Sequence, residues 1–241
     1  LRRPAGRRHT RARKVACLRS FFKYAQSKAN IIEVNPASEL DSPKITKTLP
    51  RYLELDECHA LLNVIDGEHK ERDYCMIVLF LNCGMRLSEL VGINITDISG
   101  DTLVVTGKGD KERTIYLNEA CIEAMESYLR VRPKITGKDE NALFLSKRKQ
   151  RISTKTVQYT VKKYITMANL DPHKYSTHKL RHTAATLMYA YGDVDIRALQ
   201  EILGHTSVAT TEIYTHVNNA RLREAVSKNP LADFRQENEE E

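Results

Sequence analysis

The amino-acid sequence predicts a mainly α fold with a small antiparallel β-sheet. Three observations carry this. Apolar residues recur at spacings of three and four along most of the 241 residues, the period of an amphipathic helix. The period shortens to two only around residues 102–117, where Gly107, Lys108, Gly109 and Asp110 separate two β-branched runs, the pattern of a hairpin. No apolar run approaches the roughly 18 residues of a membrane span. A chain of this length can bury a core as one large domain, or as one domain plus a smaller piece.

The elements follow in order. Val15, Leu18, Phe21, Phe22 and Ala25 mark a helix, and Asn35-Pro36 turns the chain after it. Residues 41–50 hold two prolines and little periodicity, so they read as a linker between a front piece (1–40) and a main domain (51–230). Leu55, Leu61, Leu62 and Ile65 line one side of a helix over Leu53–Ile65. Tyr74–Cys83 is apolar almost all round, which predicts a buried helix. Gly84 interrupts it, and Leu87, Leu90 and Val91 resume a helical face. The hairpin strands are Thr102–Thr106 and Arg113–Leu117. Helices are expected at Glu119–Leu129, Thr154–Ala168, His178–Tyr191, Asp195–Leu203, Val208–His216 and Asn219–Val226. Gly204 suits a helix C-cap and Ser207 an N-cap. An acidic tail (231–241) closes the chain.

The charge is uneven. There are 38 Lys+Arg against 31 Asp+Glu, for a net +7, yet residues 1–32 hold ten basic residues and no acidic one. Such a block suits a polyanion; a solvated basic tail reads the same way. Five cysteines (Cys17, Cys58, Cys75, Cys83, Cys121) lack C-x-x-C spacing. This argues against a disulfide framework or zinc ribbon and fits a reducing, cytoplasmic compartment. The basic start is not followed by the apolar segment of a signal peptide. The opening residue is Leu1, as expected of an N-terminally truncated chain.

Several polar residues stand where chemistry is conceivable. His178 and Arg181 lie at i and i+3, on one helical face. His178 and His182 have metal-ligand spacing, but Lys179 replaces the glutamate of a zincin, so no metal is expected. His182 reads more readily as a core histidine than as a functional one, given Leu180, Ala184 and Ala185 around it. Arg86 follows an apolar helix, with Glu89 three residues on. The pair is either structural or an arginine held by Glu89 for a phosphate. Lys108 sits between two glycines at a hairpin tip, solvated or presented to a ligand. His205 follows a helix end, and Tyr214 closes a helical pattern. A buried, hydrogen-bonded tyrosine is the bland alternative there.

Read together, the stretches Cys83–Leu90, Thr106–Arg113, His178–His182, Leu203–His205 and Tyr214–Val217 resemble the tyrosine recombinase/integrase family, its Xer-type members most closely. The resemblance covers roughly residues 49–220 in the right order. It implies the tyrosine recombinase catalytic fold, with a front piece left over from a helical core-binding domain. It implies a catalytic set of Arg86, Lys108, His178, Arg181, His205 and the nucleophile Tyr214, supported by Glu89 and His182. It also implies a metal-free, ATP-free reaction without cofactors, through a 3′-phosphotyrosine. The expected partner is double-stranded DNA carrying an inverted-repeat site, bound by a tetramer that exchanges C-terminal helices such as Asn219–Val226. The setting is a bacterial or archaeal nucleoid. Arg11, Arg13, Lys14 and Arg19, with Lys155, Lys162 and Lys163, are the candidate DNA contacts. Mobile-element integration, a type IB topoisomerase-like relaxing enzyme, a non-catalytic DNA-binding protein and a metal-dependent nuclease are the competing readings.

Overall fold

The computed structural model describes residues 5–43, 51–107, 112–192 and 194–204. The chain divides into two units, Leu1–Thr48 and Leu49–Glu241. The first is built on α1 (Ala5–Ser27). Val15 and Ala25 are buried, whereas Phe21 and Tyr24 are 61% and 62% exposed. The helix stops where Asn30 takes a left-handed φ of 52°. The Asn35 side chain then accepts from the Ala37 amide at 2.8 Å, an Asx-type turn.

The second unit is arranged around α3 (Lys70–Cys83). Met76, Ile77, Val78, Leu79 and Phe80 are at most 2% exposed, so this helix is apolar on every side because it has neighbours on every side. It packs against α5 (Glu119–Val131) and α7 (Thr177–Tyr191). The helix α2 (Leu55–Asn63) and α6 (Thr154–Met167) complete the helical layer. Each fully buried Leu, Met or Phe contributes roughly 1.5–3 kcal/mol. Thr183 of α7 accepts from the Leu53 amide at 2.9 Å and donates to the Lys179 carbonyl at 3.0 Å. A buried hydroxyl thereby fixes the start of this unit.

Two differences from the sequence reading have physical causes. Helix α3 begins four residues before Tyr74. Its polar first turn is not a solvated loop: Arg72 and Asp73 are 7% and 5% exposed. Arg72 donates to Asp73 Oδ1 through Nε (2.9 Å) and Nη2 (2.7 Å), and to the Leu145 carbonyl at 2.9 Å. Tyr164 of α6 donates to the other carboxylate oxygen at 3.0 Å. The sheet also has three strands rather than two: β1 (Ile98–Ser99), β2 (Thr102–Thr106) and β3 (Glu112–Tyr116), all antiparallel. A two-residue strand is too short to show an alternation. Leu103, Val105 and Ile115 point into the core.

Two glycines end helices in the left-handed conformation, as the C-cap reading of Gly204 requires. Gly84 (φ 57°) closes α3, and Gly204 (φ 61°) closes α8 (Ile196–Leu203). Asp195 caps the start of α8, accepting from Arg197 and Ala198 amides at 2.7 and 2.8 Å. A Cβ at Gly84 would sit 2.9 Å from Leu203 Cδ2. The end of α3 thus meets the end of α8. The expected helices Val208–His216 and Asn219–Val226 lie outside the described residues, with Ser207. No described helix is long and apolar enough to cross a membrane.

Candidate functional site

The site forms where α3, α4 (Leu87–Gly92), α7, α8 and β3 converge. Gly84 turns the chain out of α3, and Arg86 is extended (φ −75°, ψ 149°) just before α4. Glu89 lies in the first turn of α4. Its carboxylate reaches back to the Arg86 amide (2.7 Å) and to Arg86 Nη1 (2.6 Å).

Glu89 is the hub of a larger cluster. It is 2% exposed. Arg113 of β3 donates to both its oxygens, from Nη2 at 2.9 Å and Nε at 3.3 Å. Arg181 of α7 stands 4.0 Å from it and is 5% exposed. Burial would raise this carboxyl, but hydrogen bonds and charge from Arg113, with bonds from Arg86, hold it down to about 2. Glu89 is therefore ionised at any working pH.

The same three arginines cap α8. Its last carbonyls have no partner within the helix and carry the negative end of its dipole. Arg113 Nη1 bonds to the Ile202 carbonyl. Arg181 Nη2 bonds to the Leu203 carbonyl at 2.6 Å, and its Nη1 to the Gly84 carbonyl at 2.5 Å. Arg86 Nη2 bonds to the Gly204 carbonyl at 2.6 Å. Three guanidinium groups thus meet one carboxylate, leaving an excess of two positive charges. Arg86 keeps about a third of its side chain exposed, so the excess faces outward there. A planar guanidinium that stays charged and donates several N–H groups is suited to phosphate.

His178 lies one turn before Arg181 on α7. Its Nε2 is 3.1 Å from His182 Nε2, with the rings edge-on. Partial burial, then Lys179 and Arg181, lower its pKa below 6.5. The ring is therefore neutral at pH 7 and able to accept a proton. His182 is half-buried and faces His178. Among the described residues no group of three His, Cys, Asp or Glu could hold a metal ion.

The structure thus brings together Arg86, Glu89 and Arg181, with His178 and His182 adjoining on α7. Lys108, His205 and Tyr214 lie outside the described residues. Arg11, Arg13, Lys14 and Arg19 are exposed on α1, as are Lys155, Lys162 and Lys163 on α6; Lys163 lies over the Tyr164 ring. The sequence reading missed Arg113. It stood inside a quoted stretch, but a strand arginine reads as solvated until its sheet face is known. Its side chain is in fact only 13% exposed.

The geometry defines a cationic, anion-directed site on a mainly α domain. The chain belongs to the phage integrase family, whose model matches residues 51–221. Tyrosine recombinase XerC of Caldanaerobacter subterraneus subsp. tengcongensis is 64% identical over 222 residues, covering 92% of this chain. The chain spans 63% of that relative's length. The crystal structure of XerA recombinase aligns with a TM-score of 0.64 at 32% identity, over 88% of this chain and 73% of that one. XerH site-specific recombinase bound to its difH substrate aligns with a TM-score of 0.65 at 30% identity, over 83% and 61%.

Proposed function

We propose that this chain is the catalytic part of a site-specific DNA recombinase that cuts and rejoins strands through a 3′-phosphotyrosine on Tyr214. The observation that carries this is the surplus of fixed positive charge around Glu89. Similarity to XerH, solved with a DNA substrate, supports DNA as the source of the anion.

The roles follow from the chemistry. Attack on a phosphodiester adds negative charge at the phosphorus oxygens, and preorganised cations stabilise that charge without reorganising. Arg86 and Arg181 bind those oxygens, and His205 adds a hydrogen bond. Tyr214 attacks the phosphorus. A tyrosine hydroxyl has an ordinary pKa of about 10, so neutral His178 takes its proton. The phosphorus–5′-oxygen bond breaks as Lys108 protonates the leaving oxygen. Rejoining reverses these steps, and the bond energy kept in the phosphotyrosine removes any need for ATP. Glu89 aims Arg86, and His182 orients His178.

The remaining assignments belong to the same reading. Residues 1–40 are the end of a helical core-binding domain, 41–50 the linker, 51–230 the catalytic domain and 231–241 an acidic tail. The basic residues of α1 and α6 lie along DNA carrying an inverted-repeat site. Four copies act on two paired sites inside the cell, at the nucleoid, and Asn219–Val226 docks on a neighbouring copy.

The test is incubation, in EDTA, with a nicked DNA whose cleaved end diffuses away, selected for binding to this protein. Wild type forms a covalent protein–DNA adduct and Tyr214→Phe forms none. An adduct that persists in Tyr214→Phe sinks the assignment of the nucleophile.

A further inference from the structure

We infer that Arg113 is a positioning residue for phosphate binding: it holds both anchors of the Arg86 guanidinium, so that Arg86 stays turned outward to the DNA phosphate. This rests on the recombinase reading above.

Arg86 is gripped at two points. Its Nη1 bonds to Glu89 Oε1 and its Nη2 to the Gly204 carbonyl. Arg113, reaching over from β3, bonds to both of those anchors. It donates to the two Glu89 oxygens from Nη2 and Nε, and to the Ile202 carbonyl from Nη1. That carbonyl lies two residues before Gly204, in the same helix end. The torsion that turns a glutamate's carboxylate is soft. Here Arg113 takes both oxygens, while the Arg86 side chain takes Oε1 and the Arg86 amide takes Oε2. The carboxylate cannot turn without breaking contacts to both arginines. A Cβ at Gly204 would lie 2.8 Å from Arg113 Cδ and 3.6 Å from Arg86 Nη1. Both arginines therefore cross the helix end in room that the missing side chain leaves.

Arg113 is not placed to bind phosphate itself. Its side chain is 13% exposed, and its Nε, Nη1 and Nη2 all donate to protein acceptors. Arg86, with 33% of its side chain exposed, is the member of the pair that meets solvent. A lysine in place of Arg113 keeps the charge but lacks the planar fork that reaches two carboxylate oxygens and a carbonyl together. Arg113→Lys thus removes the aim and keeps the charge, and Arg113→Gln removes both.

Two nicked DNA substrates test this, one natural and one with a methyl group in place of a non-bridging oxygen at the cleaved phosphate. The methyl group removes the charge that the arginines face, so a misaimed Arg86 costs less. Adduct formation is followed in a single turnover under saturating protein, per folded molecule, against wild type on the same substrate. Both variants should lose about 10²-fold on the natural substrate, the low end for one preorganised donor. Binding of uncleaved DNA stays near wild type, and most of the loss disappears on the methyl substrate. Arg113→Lys at the wild-type rate overturns the proposal, because charge would then suffice. Equal loss on both substrates overturns it, as does a loss explained by weaker DNA binding. Unfolding of both variants, read by thermal melting, would assign Arg113 to stability and overturn it too. If wild type itself forms no adduct on the natural substrate, the recombinase reading fails first. An active wild type confines any failure to Arg113.

Discussion

The two ends of helix α3 both bury ionised side chains, and they do so in opposite ways. At the N-terminal end one arginine meets one aspartate. Arg72 spends its N–H groups on Asp73 and the Leu145 carbonyl, and Tyr164 occupies the remaining carboxylate oxygen. Charge balances and the arrangement is closed. Just past the C-terminal end, three arginines share Glu89 and are steadied by carbonyls of α8. Carbonyl dipoles orient a cation without neutralising it. The first end is a bolt through the fold; the second sets three guanidinium groups against one carboxylate, a surplus of two positive charges.

The sharpest way to break this contrast is to remove each carboxylate. Glu89→Ala and Asp73→Ala both leave buried guanidinium groups uncompensated, and each should lower unfolding stability in urea by about 3–5 kcal/mol. They should part company when sulfate is added. Beyond what sulfate adds to wild type, an anion filling the place of the lost carboxylate restores up to about 2.7 kcal/mol to folded Glu89→Ala at one hundred times its Kd, whereas Asp73→Ala, whose Glu89 cluster is intact, gains no more than wild type. Equal recovery at both ends would show that the difference in charge balance has no consequence.

Swapping the arginines comes next. Arg181→Lys should slow adduct formation by about 10²–10³-fold, the usual loss for one preorganised donor. Arg72→Lys, buried to a similar degree, should leave the rate per folded molecule unchanged. Single-turnover cleavage, corrected for the folded fraction, measures both.

Acid sharpens the comparison further. Glu89 is held at about 2 in the folded protein against an ordinary 4.5. A lowered carboxyl stabilises the fold above the unfolded value and stops doing so as pH falls through the folded one. Wild type should therefore lose about 3 kcal/mol between pH 4.5 and 2 from this group. Urea midpoints across that range should fall less steeply in Glu89→Gln.

The smallest effect is at Gly204. Gly204→Ala forces a side chain into a left-handed φ, at about 1–2 kcal/mol, and pushes on Arg113 Cδ. Gly100, also left-handed but with open space around it, should show only the backbone cost when changed to Ala. Thermal melts of the two variants separate crowding from φ alone.

Much of the fold was legible because its signals are local. The apolar run 74–83 and the spacing in Glu119–Leu129, Thr154–Ala168 and His178–Tyr191 each mark a helix within a residue or two at most ends. Gly204 announced the end of α8 through its own conformational freedom. The first turn of α3 was not legible, because Lys-Glu-Arg-Asp reads as solvent-facing until Tyr164 and Leu145 arrive from elsewhere in the chain. Arg113 was hidden for the same reason. Arg86, Glu89 and Arg181 were found as separate motifs, but their sharing of one carboxylate and one helix end is a tertiary fact that no spacing encodes.

The capping of α8 has a consequence for biosynthesis. Residues 86, 113 and 181 come from α4, β3 and α7, and the carbonyls they grip come last, at 202–204. A chain emerging from the ribosome carries all three arginines before it carries the turn that aims them. Non-local contacts of this kind form late, since the intervening chain must be closed first. Completing α8 and fixing the three guanidinium groups on Glu89 are therefore one event.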